Sequence, residues 1–161
     1  MAKTDETIRL EKQIYLVTRE KGVFGCPEVT IGLNGNERVD YMTFDTKGIW
    51  RCYEIKVSKS DFYSKAKLSF VGNYNYFVLT KKLYEEVKDD IPNHIGVYVN
   101  GTCVKRAKKQ KLVVDEQILR YSMIRSLYRE VEIFKRQQPG NMETMEGEIK
   151  GQHDGLMYYT L

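Results

Sequence analysis

Three ionisable residues sit inside otherwise apolar stretches of this 161-residue chain: Asp40 in RVDYMTF, and Glu54 and Lys56 in WRCYEIKV. Glu54 and Lys56 are two apart, so β-geometry sends both side chains out of the same face of their strand. Placing Phe44 opposite Trp50 puts Met42 opposite Cys52, Asp40 opposite Glu54 and Arg38 opposite Lys56. Directly opposed residues have Cβ atoms about 4.5–5.5 Å apart, close enough for two carboxylates to meet. Like charges at that separation repel. A divalent cation such as Mg2+ or Mn2+ relieves the repulsion, taking carboxylate oxygens at about 2.0–2.1 Å for magnesium. A lysine beside such an ion can hold or deprotonate a water next to it. The plain alternative is an exposed hairpin whose acids pair with Arg38 and Lys56, each pair worth about 0.2–1 kcal/mol. Three ionisable groups within apolar strands favour the site.

With these residues in view, the chain resembles the PD-(D/E)XK nuclease superfamily, whose core is a helix, an antiparallel hairpin, a second helix and a further strand. Val39-Asp40 stands where that family has Pro-Asp, and Glu54-Ile55-Lys56 is its ExK. The stretch EIKVSKSDF, followed by Lys65, Lys67 and GNYNYFVLT, is similar to MmcB-type DNA repair nucleases and related small phage proteins. The resemblance covers about Arg38 to Val99. It implies metal-dependent hydrolysis of a phosphodiester in DNA, with RNA left open. Asp40, Glu54 and the backbone carbonyl of Ile55 would hold magnesium or manganese, and Lys56 would position the attacking water. It also implies a glutamate from the first helix, Glu11 or, second, Glu6, and support from Ser58 and Asp61. Asp61 equally suits the first turn of a helix capped by Ser60. The contrasting function is a nuclease-like module that binds nucleic acid or protein without cutting.

The elements that must position these groups follow from periodicity. A helix is expected over Asp5–Lys21, where Leu10, Ile14 and Val17 recur at helical spacing before Gly22. Alternation predicts strands over Glu28–Leu33, Arg38–Phe44 and Ile49–Val57, separated by Asn34-Gly35 and by a polar Asp45–Gly48 turn. A short helix over Ser60–Gly72 leads into the apolar run Tyr74–Thr80, which reads as a buried strand. Lys81–Asp89 reads as a helix and Ile95–Val99 as a strand closed by Asn100-Gly101. The longest helix is Asp115–Gln137; Ile124, Leu127, Val131 and Phe134 share one face, which suits packing on the sheet or, as a second reading, a homodimer seam. The fold class is therefore α/β, a mixed central sheet flanked by helices, in one domain over residues 1–138 with an acidic tail at 139–161.

Composition supports this and removes several chemistries. With 42% hydrophobic and 30% charged residues the chain can bury a core. Cys26, Cys52 and Cys103 are widely spaced, giving neither a disulfide framework nor a zinc motif. His94 and His153 are too few for a histidine-rich metal site and argue against Ser-His or Cys-His catalysis. The polar start lacks an export signal and no run is long enough to span a membrane, so a cytoplasmic protein without a membrane partner is expected. The net charge is +4, yet the tail carries Glu143, Glu146, Glu148 and Asp154 against Lys150, so the body is more basic than the total. Lys105, Arg106, Lys108, Lys109 and Lys111 form the densest basic run, a candidate phosphate contact or a solvated loop.

Overall fold

The computed structural model describes residues 3–32, 35, 37–64, 68–138 and 150. The chain is α/β. Its six-stranded mixed sheet has the order β1 (Val23–Thr30), β2 (Arg38–Asp45), β3 (Trp50–Lys56), β4 (Tyr74–Leu79), β5 (Gly96–Val99) and β6 (Thr102–Lys105). The first three strands are antiparallel, β3, β4 and β5 run parallel, and β6 turns back. Helix α1 is Asp5–Thr18, α2 is Lys59–Phe62, α3 is Lys81–Val87 and α4 is Glu116–Arg136, with a short 3-10 turn after α3 at Lys88–Asp90. The chain divides into two compact units, residues 1–126 and 127–161. Among the described residues no helix is long and apolar enough to cross a membrane.

Three apolar clusters explain why the sheet is covered as it is. Leu10 and Ile14 of α1 pack with Tyr41, Tyr53, Ile55 and Val78. Alternation places the even-numbered residues of β3 on the opposite face. There, Leu119 and Met123 of α4 cover Met42, Trp50 and Cys52, while Leu83 and Val87 of α3 cover Phe77, Leu79, Val97 and Val99. Two helical coverings on one face leave the end of β3, with Glu54 and Lys56, between them. The first part of α4 is also tied to the end of β1. The Arg125 guanidinium donates to the carbonyls of Thr30 (2.9 Å) and Gly32 (2.7 Å), and the Gly32 N–H donates to the Ser122 hydroxyl at 2.9 Å.

Several expectations need correction. β1 begins at Val23, not Glu28. Gly25 and Pro27 lie within it; this is an edge strand, where a missing N–H is tolerated. The helix expected over Ser60–Gly72 is only Lys59–Phe62, and its cap is Ser58, whose hydroxyl accepts from the Asp61 N–H, rather than Ser60. β6, four residues that open the basic run, was not anticipated. The expected turn at Asn34-Gly35 lies partly outside the described residues, as do Lys65 and Lys67 and the tail except residue 150. In the part of α4 that belongs to the first unit, Ile124 of the expected stripe is 66% accessible and does not pack on the sheet. The buried residues are Leu119, Ser122, Met123 and Ser126.

The basic run lies against the amino ends of the parallel strands. The Gln110 N–H donates to the Asn73 carbonyl (2.7 Å), the Lys108 N–H to the His94 carbonyl (3.0 Å), and Asn73 Oδ1 accepts from the Trp50 N–H (2.9 Å). Gly96 permits this approach, since a Cβ there would stand 2.4 Å from the Tyr76 ring and 2.7 Å from the Ala107 nitrogen. Gly96→Ala is therefore expected to cost about 1–3 kcal/mol by overpacking, read as a lowered midpoint in urea. Gly48→Ala serves as a comparison: φ is +78° but nothing lies near the added carbon, so the expected loss is only about 1 kcal/mol. Equal effects from the two substitutions would contradict the close approach at Gly96.

Candidate functional site

The register derived from the sequence holds where the ladder is regular: Phe44 faces Trp50 and Met42 faces Cys52, with Phe44 and Trp50 rings stacked at 4.3 Å. Regular pairing ends at Tyr41 and Tyr53. Beyond it the Ile55 N–H donates to Asp40 Oδ2 at 2.8 Å, so a carboxylate takes the bond that a backbone carbonyl would ordinarily accept. Alternation also fails across Asp40. Val39 and Met42 belong to the cluster under α4, whereas Tyr41 belongs to the one under α1. On the other side of β2, between the pairs Pro27–Tyr41 and Val29–Val39, Glu28 adopts φ +49°. A non-glycine residue in the left-handed region costs about 1–3 kcal/mol and persists only where its surroundings enforce it. Here Lys3 at 2.8 Å and Arg38 at 3.8 Å hold the Glu28 carboxylate.

Glu54 is 4% exposed and Lys56 7%. In the parallel ladder Glu54 neighbours Phe77 and Lys56 neighbours Leu79, and Phe62 and Phe70 pack on Phe77 at 4.9 and 5.0 Å between ring centres. That apolar wall withholds water. Burial, and then the nearby charge of Asp40, push the Glu54 carboxyl up to about 8; Lys56 and the Ser69 N–H oppose the shift without cancelling it. Asp40 is also raised, by burial first, with the Ile55 N–H, Lys56 and Arg38 pulling down and Glu11 adding to the rise. The two acids therefore resist being charged together. Glu54 Oε1 is buried and has no hydrogen-bond partner among the described residues, and the buried Ser69 hydroxyl has none either. An unpartnered buried oxygen is costly.

The supporting residues divide. Asp61 Oδ1 lies 3.2 Å from Lys56 Nζ, and the Ser58 cap aims Asp61 there by accepting its N–H. Glu11 is bridged to Lys3 at 2.6 Å and its charge reaches Asp40. Glu6 instead pairs with Arg9 at 3.6 Å on the surface. Of the two first-helix glutamates, Glu11 is the one whose charge reaches Asp40. The run from Lys105 is not beside this site. Lys105 pairs with Val97, level with Phe77 and Glu54 but three strands across the sheet; from there the run leads to the amino ends of the parallel strands, with Gln110 beside Asn73, and the Lys105 ammonium is spent on the carbonyls of Ile91 and Pro92 at 3.1 and 2.9 Å. Ser69, which gives its N–H to Glu54, was missed; it lies in an irregular stretch with no periodic signal.

The donor set suits a small hard cation. Among the described residues no group of three or more His, Cys, Asp or Glu side chains forms a ready metal cluster. Two carboxylates and backbone oxygen are what magnesium uses when its remaining positions are filled by water and substrate phosphate, whereas structural zinc needs a full protein set. The bare Glu54 Oε1 is the oxygen such an ion would take.

No family model matches the chain. Among curated proteins it is similar to tRNA-specific 2-thiouridylase MnmA over short stretches. Identity is 79% over 24 residues with that of Bacillus licheniformis, 15% of this chain and 6% of that protein. It is 34% over 90 residues with that of Oceanobacillus iheyensis, 53% of this chain and 24% of that protein. The chain thus spans a quarter or less of the length of these relatives. Among solved structures it is similar to the SPO1766 protein of unknown function from Silicibacter pomeroyi, with a TM-score of 0.69 and 19% identity over 88% of this chain and 99% of that one. This likeness shows a shared α/β fold.

Proposed function

We propose that the protein is a magnesium- or manganese-dependent nuclease that hydrolyses phosphodiester bonds in DNA, with RNA as an untested substrate. The observation that carries the reading is the buried Glu54 and Lys56 beside the half-buried Asp40, with Glu54 Oε1 unpartnered among the described residues. Asp40, Glu54 and the Ile55 carbonyl would hold the cation, which supplies Lewis-acid polarisation and a lowered pKa for water. The chain's own residues do the rest. The Ile55 N–H fixes the Asp40 carboxylate against β3, Asp61 steadies the Lys56 ammonium, and Lys56 faces the negative charge that develops at phosphorus. A nuclease-like binding module is the second reading. What favours it is the raised Glu54 carboxyl, which keeps its proton at neutral pH unless a cation displaces it.

Incubation of supercoiled, linear and single-stranded DNA and of RNA with manganese, against EDTA, tests the proposal. Metal-dependent cleavage is expected, falling about a hundredfold or more in Asp40→Asn and Lys56→Ala, since each supplies several kcal/mol. Intact substrates under every condition would leave the binding module as the better reading.

Stability against pH gives an independent check. The unfolded chain releases the Glu54 proton near the ordinary carboxylate range, about 4.3, while the folded chain keeps it to about 8. Folding stability in metal-free buffer should therefore decline as pH rises between those values and level off above the second. Glu54→Gln should remove the decline, a gain on the order of a few kcal/mol at most above pH 8 and none below about pH 4. Manganese should raise the wild-type melting temperature more at pH 8 than at pH 6, because ligands must be deprotonated to bind it. Parallel melting curves for wild type and Glu54→Gln across this range would contradict the buried, raised carboxyl.

A further inference from the structure

At the carboxyl ends of β3 and β4, directly beyond Lys56, the chain forms an open cleft of about 490 Å³. Val57 and Ser58, the two residues after Lys56, line it, as do Thr80, which follows β4, and the cations Arg9, Lys59, Lys81 and Lys82. These cations come from three elements, α1, α2 and α3. Two acids share the lining, Glu6 and Glu86, and their pairs are long: 3.6 Å to Arg9 and 3.8 Å to Lys59. Exposed pairs of that kind contribute about 0–1 kcal/mol and yield to a polyanion. Glu85, whose carboxyl feels the charge of Lys81, is taken by Lys88 at 2.7 Å. The cleft is thus net cationic, and it opens where parallel strands end, the edge at which α/β sheets bind ligands.

We propose that this cleft is the track for the nucleic-acid backbone, with Arg9, Lys59, Lys81 and Lys82 contacting phosphates on either side of the bond presented to Lys56. The inference rests on the nuclease reading for its substrate class. It relocates the polyanion contact from the run at Lys105–Lys111, which leaves β6 and leads to the amino ends of the parallel strands. Backbone contacts of this kind set register and orientation without reading sequence.

The test is equilibrium binding of a short fluorescent DNA duplex and its single strand, in calcium to suppress cleavage, across a range of salt. Lys81→Ala with Lys82→Ala should weaken binding roughly tenfold and lower the slope of log K against log salt by about 1.8 for the duplex, one phosphate per lysine. Arg9→Ala should add to the loss. Lys108→Ala with Lys109→Ala should leave both quantities within error. All these residues are exposed, and unchanged melting temperatures verify the folding of each variant. Loss of affinity in the Lys108/Lys109 pair with none in the Lys81/Lys82 pair would overturn the track, as would the absence of binding by the wild type. The two proposals separate in one experiment. Wild type that cleaves while the Lys81/Lys82 pair keeps affinity and KM overturns the track alone, and wild type that binds with the predicted slopes but never cleaves keeps the track and removes the nuclease.

Discussion

A carboxylate kept out of water next to another carboxylate is the constraint around which this chain is organised. Glu54 is buried beside Phe77, near Asp40, with a single backbone N–H from Ser69 and the charge of Lys56 in compensation. Apolar residues of the same volume would fill a sheet position with less cost. The local geometry is bent toward tolerating this group: β2 leaves regular pairing at Asp40, the Ile55 N–H is diverted to the Asp40 side chain, and Glu28 is held in the left-handed region across from it. Irregularities of this kind cluster at functional positions because the rest of the fold must supply the stability they subtract.

The rest of the fold does so through its coverings. One face of the sheet is packed by Leu10 and Ile14 of α1. The other carries α4 over the antiparallel strands and α3 over the parallel ones. Neither covering reaches the end of β3, so Lys56 and Asp61 stand between them while Glu54 lies one step deeper. The short α2 has little packing of its own. Its role is directional: Ser58 caps it, and the cap turns Asp61 back onto Lys56.

What could be read beforehand was what alternation encodes. The pairing of Phe44 with Trp50 and Met42 with Cys52, and the shared face of Glu54 and Lys56, follow from a period of two, and the strands and helices from Tyr74 to Val99 fell close to their expected places. The failures have physical causes. Ser122 and Ser126 lie on the buried face of α4 while Ile124 is exposed, so hydrophobicity did not mark the side of this part of the helix that packs on the sheet. Ser122 is buried because its hydroxyl serves the Gly32 N–H and the Ile118 carbonyl, a tertiary contact that no local pattern announces. Gly25 and Pro27 disguised an edge strand, and β6 is too short and too exposed to show a period.

Charge behaves in the same way as hydrophobicity here, because spatial density and density along the chain are different quantities. Five cations within seven residues, from Lys105 to Lys111, are conspicuous in the sequence, yet folding spends Lys105 on the carbonyls of Ile91 and Pro92 and lays the stretch across the amino ends of the strands. Arg9, Lys59, Lys81 and Lys82 are unremarkable in the sequence, scattered over more than seventy residues. The topology gathers them because α2 and α3 each begin where a parallel strand ends, and the amino-terminal half of α1 reaches the same edge. A polyanion responds to the potential at the surface, which sums charges by distance and not by sequence separation. On the proposed reading, a phosphate near Lys56 would respond first to the cations that α1, α2 and α3 bring to that edge, because screening over about 8 Å at physiological salt weakens charges farther off.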